Sequence, residues 1–230
     1  MTPAARPSVL FIPPSCCGAG YFRKVRRALA DRVEFRAVEL PGHGRRFAEP
    51  LVTQAKTVVL DIAGQLDGPV VAVYGESLGA YIGLALVGVL DQRRPPLLLA
   101  ASNSPPSVQH RIRLEDIGSV ESAAATLTAM GGQIPAELLS DPDLAERAYP
   151  MIRADLRLSQ SFIDSTRALT VAADIQVLGG VDDPALTGLH HWARHTTGRC
   201  EVTRLAGGHL LSESNPAGVA GLVEYALAIR

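Results

Sequence analysis

The chain has 230 residues, 47% of them hydrophobic, with 22 Lys and Arg against 23 Asp and Glu and a formal net charge of -1. That length allows one domain, at most with a sizeable insertion, and the apolar content supports a buried core and excludes a disordered chain. The near-neutral charge gives no footing for nucleic acid or an anionic membrane surface, and no stretch reaches the roughly 18 uninterrupted apolar residues that a membrane span requires.

The N-terminal segment "MTPAARPSVLFIPPS" has an apolar core too short and too broken by proline for a secretory signal. Within it, "SVLFIP" (8–13) reads as the first strand, followed by a helix-like stretch at 20–30 and a strand "VEFRAVEL" (33–40). Next come a helical pattern at 51–66, a strand "PVVAVYG" (69–75), a helix at 78–91 and a strand "PLLLAAS" (96–102). After a long interruption the chain resumes with "DIQVLGG" (174–180), a helix-like stretch at 185–196, "EVTRLAG" (201–207) and a helix at 215–229. The strands are rich in Val, Leu and Ile with little alternation, as expected when both faces are covered. Their alternation with helices predicts an α/β fold, a mostly parallel central sheet flanked by helices. Residues 105–170 hold no convincing strand, only helical patterns such as "LEDIGSVESAAATLTAM" and "DPDLAERAYPMIRADLRLSQSF". We read them as a helical lid inserted into a single domain (1–230), over the sheet edge where open α/β sheets bind ligands. The cysteines, Cys16, Cys17 and Cys200, form no disulfide framework and no CxxC metal spacing, and a reducing cytoplasm is the simplest setting.

The segment "AVYGESLGAYIGLA" (72–85) sets a serine between two glycines, with a strand leading in and a helix leading out. That is the setting of a nucleophile elbow, a strained turn that pushes the Ser77 hydroxyl out of the sheet. The plainer alternative is a tight turn with a helix-capping serine. A serine hydroxyl needs a base to remove its proton, and the chain order Ser, Asp, His of hydrolases on such sheets selects candidates late in the sequence. His209, in "RLAGGHLLSES", follows the last strand in a Gly-rich loop; the alternative for it is a surface histidine. The acid belongs after an earlier strand, where "QVLGGVDDPALT" offers Asp183, which we favour, and Asp182 as the alternative; either aspartate also suits a helix cap near Pro184. Oxyanion donors are expected from the N–H of Leu78, after the nucleophile, and from the early loop "FIPPSCCGAGYF", where Ser15 is the candidate.

At these residues the chain resembles type II (editing) thioesterases of polyketide and nonribosomal-peptide assembly lines, within the α/β-hydrolase superfamily. The resemblance covers nearly the whole chain. "FIPPSCCGAGYFR" resembles the family's proline, small residues and Phe-Arg, and "VELPGHGRRFAEP" is similar to its LPGRGxRxxEP loop. "GGQIPAELLSDPDLAERAYPMIRADLRL" resembles the lid-region pattern, and "LGGVDDPAL", "WARHTTG" and "AGGHLLSES" match its later signatures in order. The resemblance implies Ser77, Asp183 and His209 as a triad, Ser15 and Leu78 as the oxyanion hole, and no metal or organic cofactor. It further implies a cytoplasmic partner, an acyl- or peptidyl-carrier protein bearing phosphopantetheine, whose stalled or misprimed acyl chains are hydrolysed. Three departures bear on substrate preference. Glu76 replaces the usual histidine, with either a carboxylate near the active site that raises the His209 pKa or a solvent-facing side chain as the expectation. Cys16 and Cys17 replace glycines, and "ASNSPP" replaces a more basic segment.

Other features carry plainer alternatives. Arg23, Arg26 and Arg27 share a helix face, with Arg45 and Arg46 nearby; they form a docking patch for an acidic carrier or an ordinary solvated face. His191 and His195 lie one helical turn apart without a third metal ligand. Cys17 lacks a partnered base and is expected to pack, as is Trp192. The rivals to the thioesterase reading are a general carboxylesterase with the same triad and a non-catalytic carrier-binding module; chain release or cyclisation ranks below both.

Overall fold

In the computed structural model, which describes residues 6–135, 137 and 140–229, six strands form one sheet in the order β2-β1-β3-β4-β5-β6. They are β1 (Ser8–Ile12), β2 (Glu34–Ala37), β3 (Ala72–Glu76), β4 (Leu97–Ala101), β5 (Ile175–Gly180) and β6 (Cys200–Leu205). Every neighbouring pair runs parallel. The register puts Ile12, Gly75, Ala100 and Val177 in one row across the four central strands. The loops after these strands therefore leave the sheet from the same edge, which is what gathers distant sequence segments into one site.

Both faces of the sheet are apolar, and that explains the weak alternation in the strand sequences. On one face Phe11 and Tyr74 pack with Phe22, Val25 and Leu29 of the α1 region and with Val219 and Val223 of α7. These helices are α1 (Arg23–Leu29) and α7 (Pro216–Ala228). On the other face Leu10, Val73, Leu98 and Val177 meet α2 (Ala55–Gly64) and α3 (Leu78–Val87). Each fully buried aromatic or aliphatic side chain here contributes roughly 1.5–3 kcal/mol of transfer free energy. α3 is buried almost all round, from Leu78 to Val87, as its uninterrupted apolar sequence requires.

Between β4 and β5 the described residues contain helices and no strand: α4 (Val120–Ala129), closed at its start by a Ser119–Ser122 capping box, and α5 (Pro142–Thr166), capped by the Asp141 carboxylate. Pro150 lies inside α5. From Ile152 onward α5 buries Ile152, Leu156, Phe162 and Ile163 in the same cluster as α3, so this part of the segment is core. The expected helix at 185–196 is corrected to a 3-10 helix over Leu189–His195. Gly188 turns left-handed (φ 58) just before it, and the buried Trp192 indole donates to the Asn103 carbonyl at 3.0 Å. A short helix not expected from the sequence, α6 (Leu211–Ser214), follows the last loop. Among the described residues no helix is long and apolar enough to cross a membrane.

Candidate active site

Ser77 sits between β3 and α3 with φ 54 and ψ -118, a backbone conformation that costs an L-residue on the order of 1–3 kcal/mol. The flanking glycines make the turn feasible. A β-carbon on Gly75 would overlap the Gly79 carbonyl, and one on Gly79 would overlap the Ile12 carbonyl. The elbow is thus wedged against the end of β1 and the first residue of the loop after it, with the Ile12 and Pro13 carbonyls facing Gly79. The strand side is fixed by the Ser77 N–H, which donates to Ala101 O at 2.9 Å, and by the Asn103 amide, which donates to the Ser77 carbonyl at 2.8 Å.

His209 Nε2 lies 2.9 Å from Ser77 Oγ, and His209 Nδ1 lies 2.7 Å from Asp183 Oδ2. A carboxylate only accepts, so Nδ1 carries the ring proton and Nε2 is free to accept from the serine hydroxyl. The Asp183 side chain is fully shielded, and its Oδ1 accepts from the Ala185 N–H at 2.9 Å. Asp182 is exposed; its N–H donates to Gly207 O, tying its loop to the one that carries His209. Leu78 opens α3, where first-turn N–H groups lack helical acceptors. Ser15 is half-buried in the loop after β1.

Several residues that shape this site carried no assigned role in the sequence, although Asp155, His43 and Gly131 fall in the segments that resemble the family's patterns. Asp155, on α5, has 1% exposure; its Oδ2 accepts from the Cys16 N–H at 2.6 Å and from His43 Nε2 at 3.1 Å. Cys16 has φ 61, so the carboxylate holds a strained residue directly after Ser15. The signal was present in the spacing, because Asp155 falls on the Ile152–Leu156–Ser159–Ile163 face that α5 buries. His43 Nδ1 faces Pro41 O at 3.0 Å; with acceptors at both nitrogens, its ring is suited to the doubly protonated form. Burial opposes that charge, but the hydrogen bond to Asp155 and its charge outweigh it, and the His43 pKa stands above the usual value. The stability gained is therefore complete below the unfolded-state pKa of about 6.5 and is lost as pH rises through the folded-state value. Thermal unfolding of native protein and His43→Asn across pH 6 to 9 checks this, with the native advantage shrinking as pH rises; a constant difference would contradict it.

Gly131, just beyond α4, has φ 90, and a β-carbon there would overlap the His209 ring, nearest its Nδ1. The segment after α4 thus packs on the candidate base. Gly131→Ala is expected to displace the imidazole and lower kcat by about 10²-fold with the circular dichroism of the folded protein retained. A kcat within a factor of about 2 of native would show that the ring tolerates the shift.

Glu76 lies beside the nucleophile and does not face solvent, which corrects the solvent-facing alternative. Its side chain has 0% exposure, and its hydrogen-bond partners are Tyr21, Tyr74 and Ser212. Burial pushes the carboxyl pKa up while these donors oppose the shift. Cys17 is half-buried, and burial, reinforced by the charges of Asp155, Glu76 and Glu213, pushes its thiol up to about 12, which suits packing rather than nucleophilic attack. His195 is turned inward, with Nδ1 at 2.9 Å from Leu169 O and Nε2 at 3.0 Å from Ser107 Oγ. The described residues hold no group of three or more metal-ligating side chains. Arg46 is committed to Glu49 and Asp61, and Arg45 to Glu39. Arg23, Arg26 and Arg27 are exposed on α1 with no carboxylate partner among the described residues.

The family model described as "Thioesterase domain" matches residues 7–226. The chain is 30% identical over 230 residues to the AMB antimetabolite synthetase AmbE of Pseudomonas aeruginosa, a match covering 96% of this chain and 11% of that protein. The chain therefore spans about a tenth of AmbE's length. It is 26% identical over 202 residues to the medium-chain S-acyl fatty acid synthase thioesterase of Rattus norvegicus, covering 84% of this chain and 76% of that one. Among solved structures, the type II thioesterase BorB from the borrelidin biosynthetic cluster superimposes with a TM-score of 0.77 at 27% identity, covering 97% and 93% of the two chains.

Proposed function

The chain belongs to the thioesterase domain family, whose α/β-hydrolase fold it shares, and from that premise we propose that it acts as a type II thioesterase. In this reading it removes acyl groups from the phosphopantetheine arm of a carrier protein in polyketide or nonribosomal-peptide biosynthesis, working in the cytoplasm. The observation that carries it is the continuous hydrogen-bonded line Ser77–His209–Asp183 at 2.9 and 2.7 Å, at the edge where the central strands end.

His209 Nε2 takes the Ser77 proton as Oγ attacks the thioester carbonyl, and Asp183 holds the Nδ1–H tautomer and stabilises the imidazolium. The N–H groups of Leu78 and Ser15 receive the developing oxyanion. The carbon–sulfur bond breaks, the thiol leaves with the proton from His209, and an acyl ester remains on Ser77. Water then attacks that ester, losing its proton to His209, and free acid and Ser77 are regenerated. A thiolate is a good leaving group, so oxyanion stabilisation carries more of the catalytic burden than leaving-group protonation. In the same reading α4 and the first turns of α5 form the lid of a single domain, and Gly131 brings that lid into contact with the base. Arg23, Arg26 and Arg27 offer an acidic carrier a docking face.

Side-by-side turnover of an acyl-phosphopantetheinyl carrier protein and a p-nitrophenyl ester tests the assignment. Preference for the carrier thioester supports it, whereas turnover of the oxygen ester alone makes the protein a general carboxylesterase. Tight binding of the loaded carrier without acid release would make it a recognition module.

A further inference from the structure

The catalytic steps leave one buried charge next to the nucleophile unused. Glu76 precedes Ser77 at the end of β3 and has 0% exposure. Its Oε1 accepts from the Tyr21 hydroxyl at 2.9 Å and from the Ser212 N–H at 3.2 Å. Its Oε2 accepts from the Tyr74 hydroxyl at 3.0 Å and from the Ser212 hydroxyl. The donors come from three places: Tyr21 from the 3-10 helix Ala19–Phe22 after the Ser15 loop, Tyr74 from β3 itself, and Ser212 from α6, three residues beyond His209. Removing a carboxylate from water is costly unless donors meet its lone pairs, and here a donor meets each of four positions. The result is a clamp. One side chain, a single peptide unit from Ser77, joins the nucleophile strand to the segment after the oxyanion loop and to the segment after the base.

We propose that Glu76 is a positioning residue for catalysis, setting the Ser77 hydroxyl in register with His209 on one side and with the oxyanion loop on the other. The inference rests on the Ser77–His209 reading above. Glu76 does not touch the reacting atoms, so its effect falls on the attack geometry and not on substrate affinity. Glutamine is the informative replacement. Its carbonyl still accepts from Tyr21 and the Ser212 N–H, and its amide donates to the Tyr74 and Ser212 hydroxyls, which also accept. Alanine removes every tie.

The test combines kcat and KM on a p-nitrophenyl ester, the rate of covalent labelling of Ser77 by a fluorophosphonate, and thermal unfolding, all on the full chain. Glu76→Gln is expected to stay within about 5-fold of native in kcat, whereas Glu76→Ala falls by about 10²-fold with KM nearly unchanged and labelling slowed in parallel. Should Glu76→Ala fail to fold, Tyr21→Phe and Ser212→Ala each cut one tie, and each is expected to lower kcat and labelling by roughly 3- to 10-fold at unchanged KM. Folded Glu76→Ala with native kcat and labelling would overturn the inference, as would native rates in both single-tie variants. Losses that disappear when the assays are run well below each unfolding midpoint would also overturn it, since they belong to stability alone. Labelling reports on Ser77 whatever the substrate, so a protein that cleaves no thioester but is labelled more slowly as Glu76→Ala still supports the inference. Native protein that is not labelled at Ser77 would remove its premise and overturn it.

Discussion

Ser77→Ala is expected to fold like the native protein and to lose at least ~10³-fold in kcat, the scale seen when a triad nucleophile is deleted and only oxyanion and binding terms survive. The backbone argument favours an intact fold. Ser77 occupies φ 54, and alanine pays no more for that conformation than serine does. The wedge that enforces it, Gly75 against Gly79 and Gly79 against Ile12, is untouched. The lost atom is the one 2.9 Å from His209 Nε2. Release of thiol from a soluble acyl thioester measures the effect. A fall of less than about 10-fold would require another nucleophile, and the neighbouring Cys17 thiol, pushed up to about 12 by burial, is poorly suited to replace it.

Asp183→Asn is expected to lower kcat by about 10⁴-fold with KM little changed, because the substitution selects the wrong imidazole tautomer. Asp183 divides its two oxygens between His209 Nδ1 and the Ala185 N–H. An asparagine keeps its carbonyl toward the Ala185 donor and turns its NH₂ to the ring. Nδ1 must then accept, the proton moves to Nε2, and Nε2 is no longer able to receive the serine proton. Asp182→Asn is the control. Its side chain is exposed, and its kcat is expected to stay within about 2-fold of native. Reversed sensitivities in the same steady-state assay would assign the acid to Asp182.

The architecture was legible because it rests on local signals. Doubly covered strands read as unbroken apolar runs, and the glycine-flanked serine between a strand and an apolar helix marks the elbow. Chain order then narrowed the base and the acid to His209 and the Asp182–Asp183 pair. What the sequence withheld comes from contacts across large separations. Cys16 and Asp155 are 139 residues apart, and Glu76 and Ser212 are 136 apart. Nothing local distinguishes a carboxylate that faces solvent from one that pins two loops. The same holds for Gly131, whose need for a bare α-carbon is set by the His209 ring. The lack of strands over residues 105–170 suggests one continuous lid, yet Phe162 and Ile163 of α5 belong to the core. Leu189–His195 keeps a helical spacing in sequence, but the left-handed Gly188 and the inward Trp192 tighten it to 3-10 geometry.

The central claim is that Ser77 accepts an acyl group delivered as a carrier-bound thioester. Release of free acid from acyl-phosphopantetheinyl carrier protein, followed for native protein and Ser77→Ala side by side, tests it most directly. The account predicts multiple turnovers by native protein and a rate at least ~10³-fold lower for the variant. Equal rates for the two proteins, or carrier binding by native protein with no acid released, would contradict it.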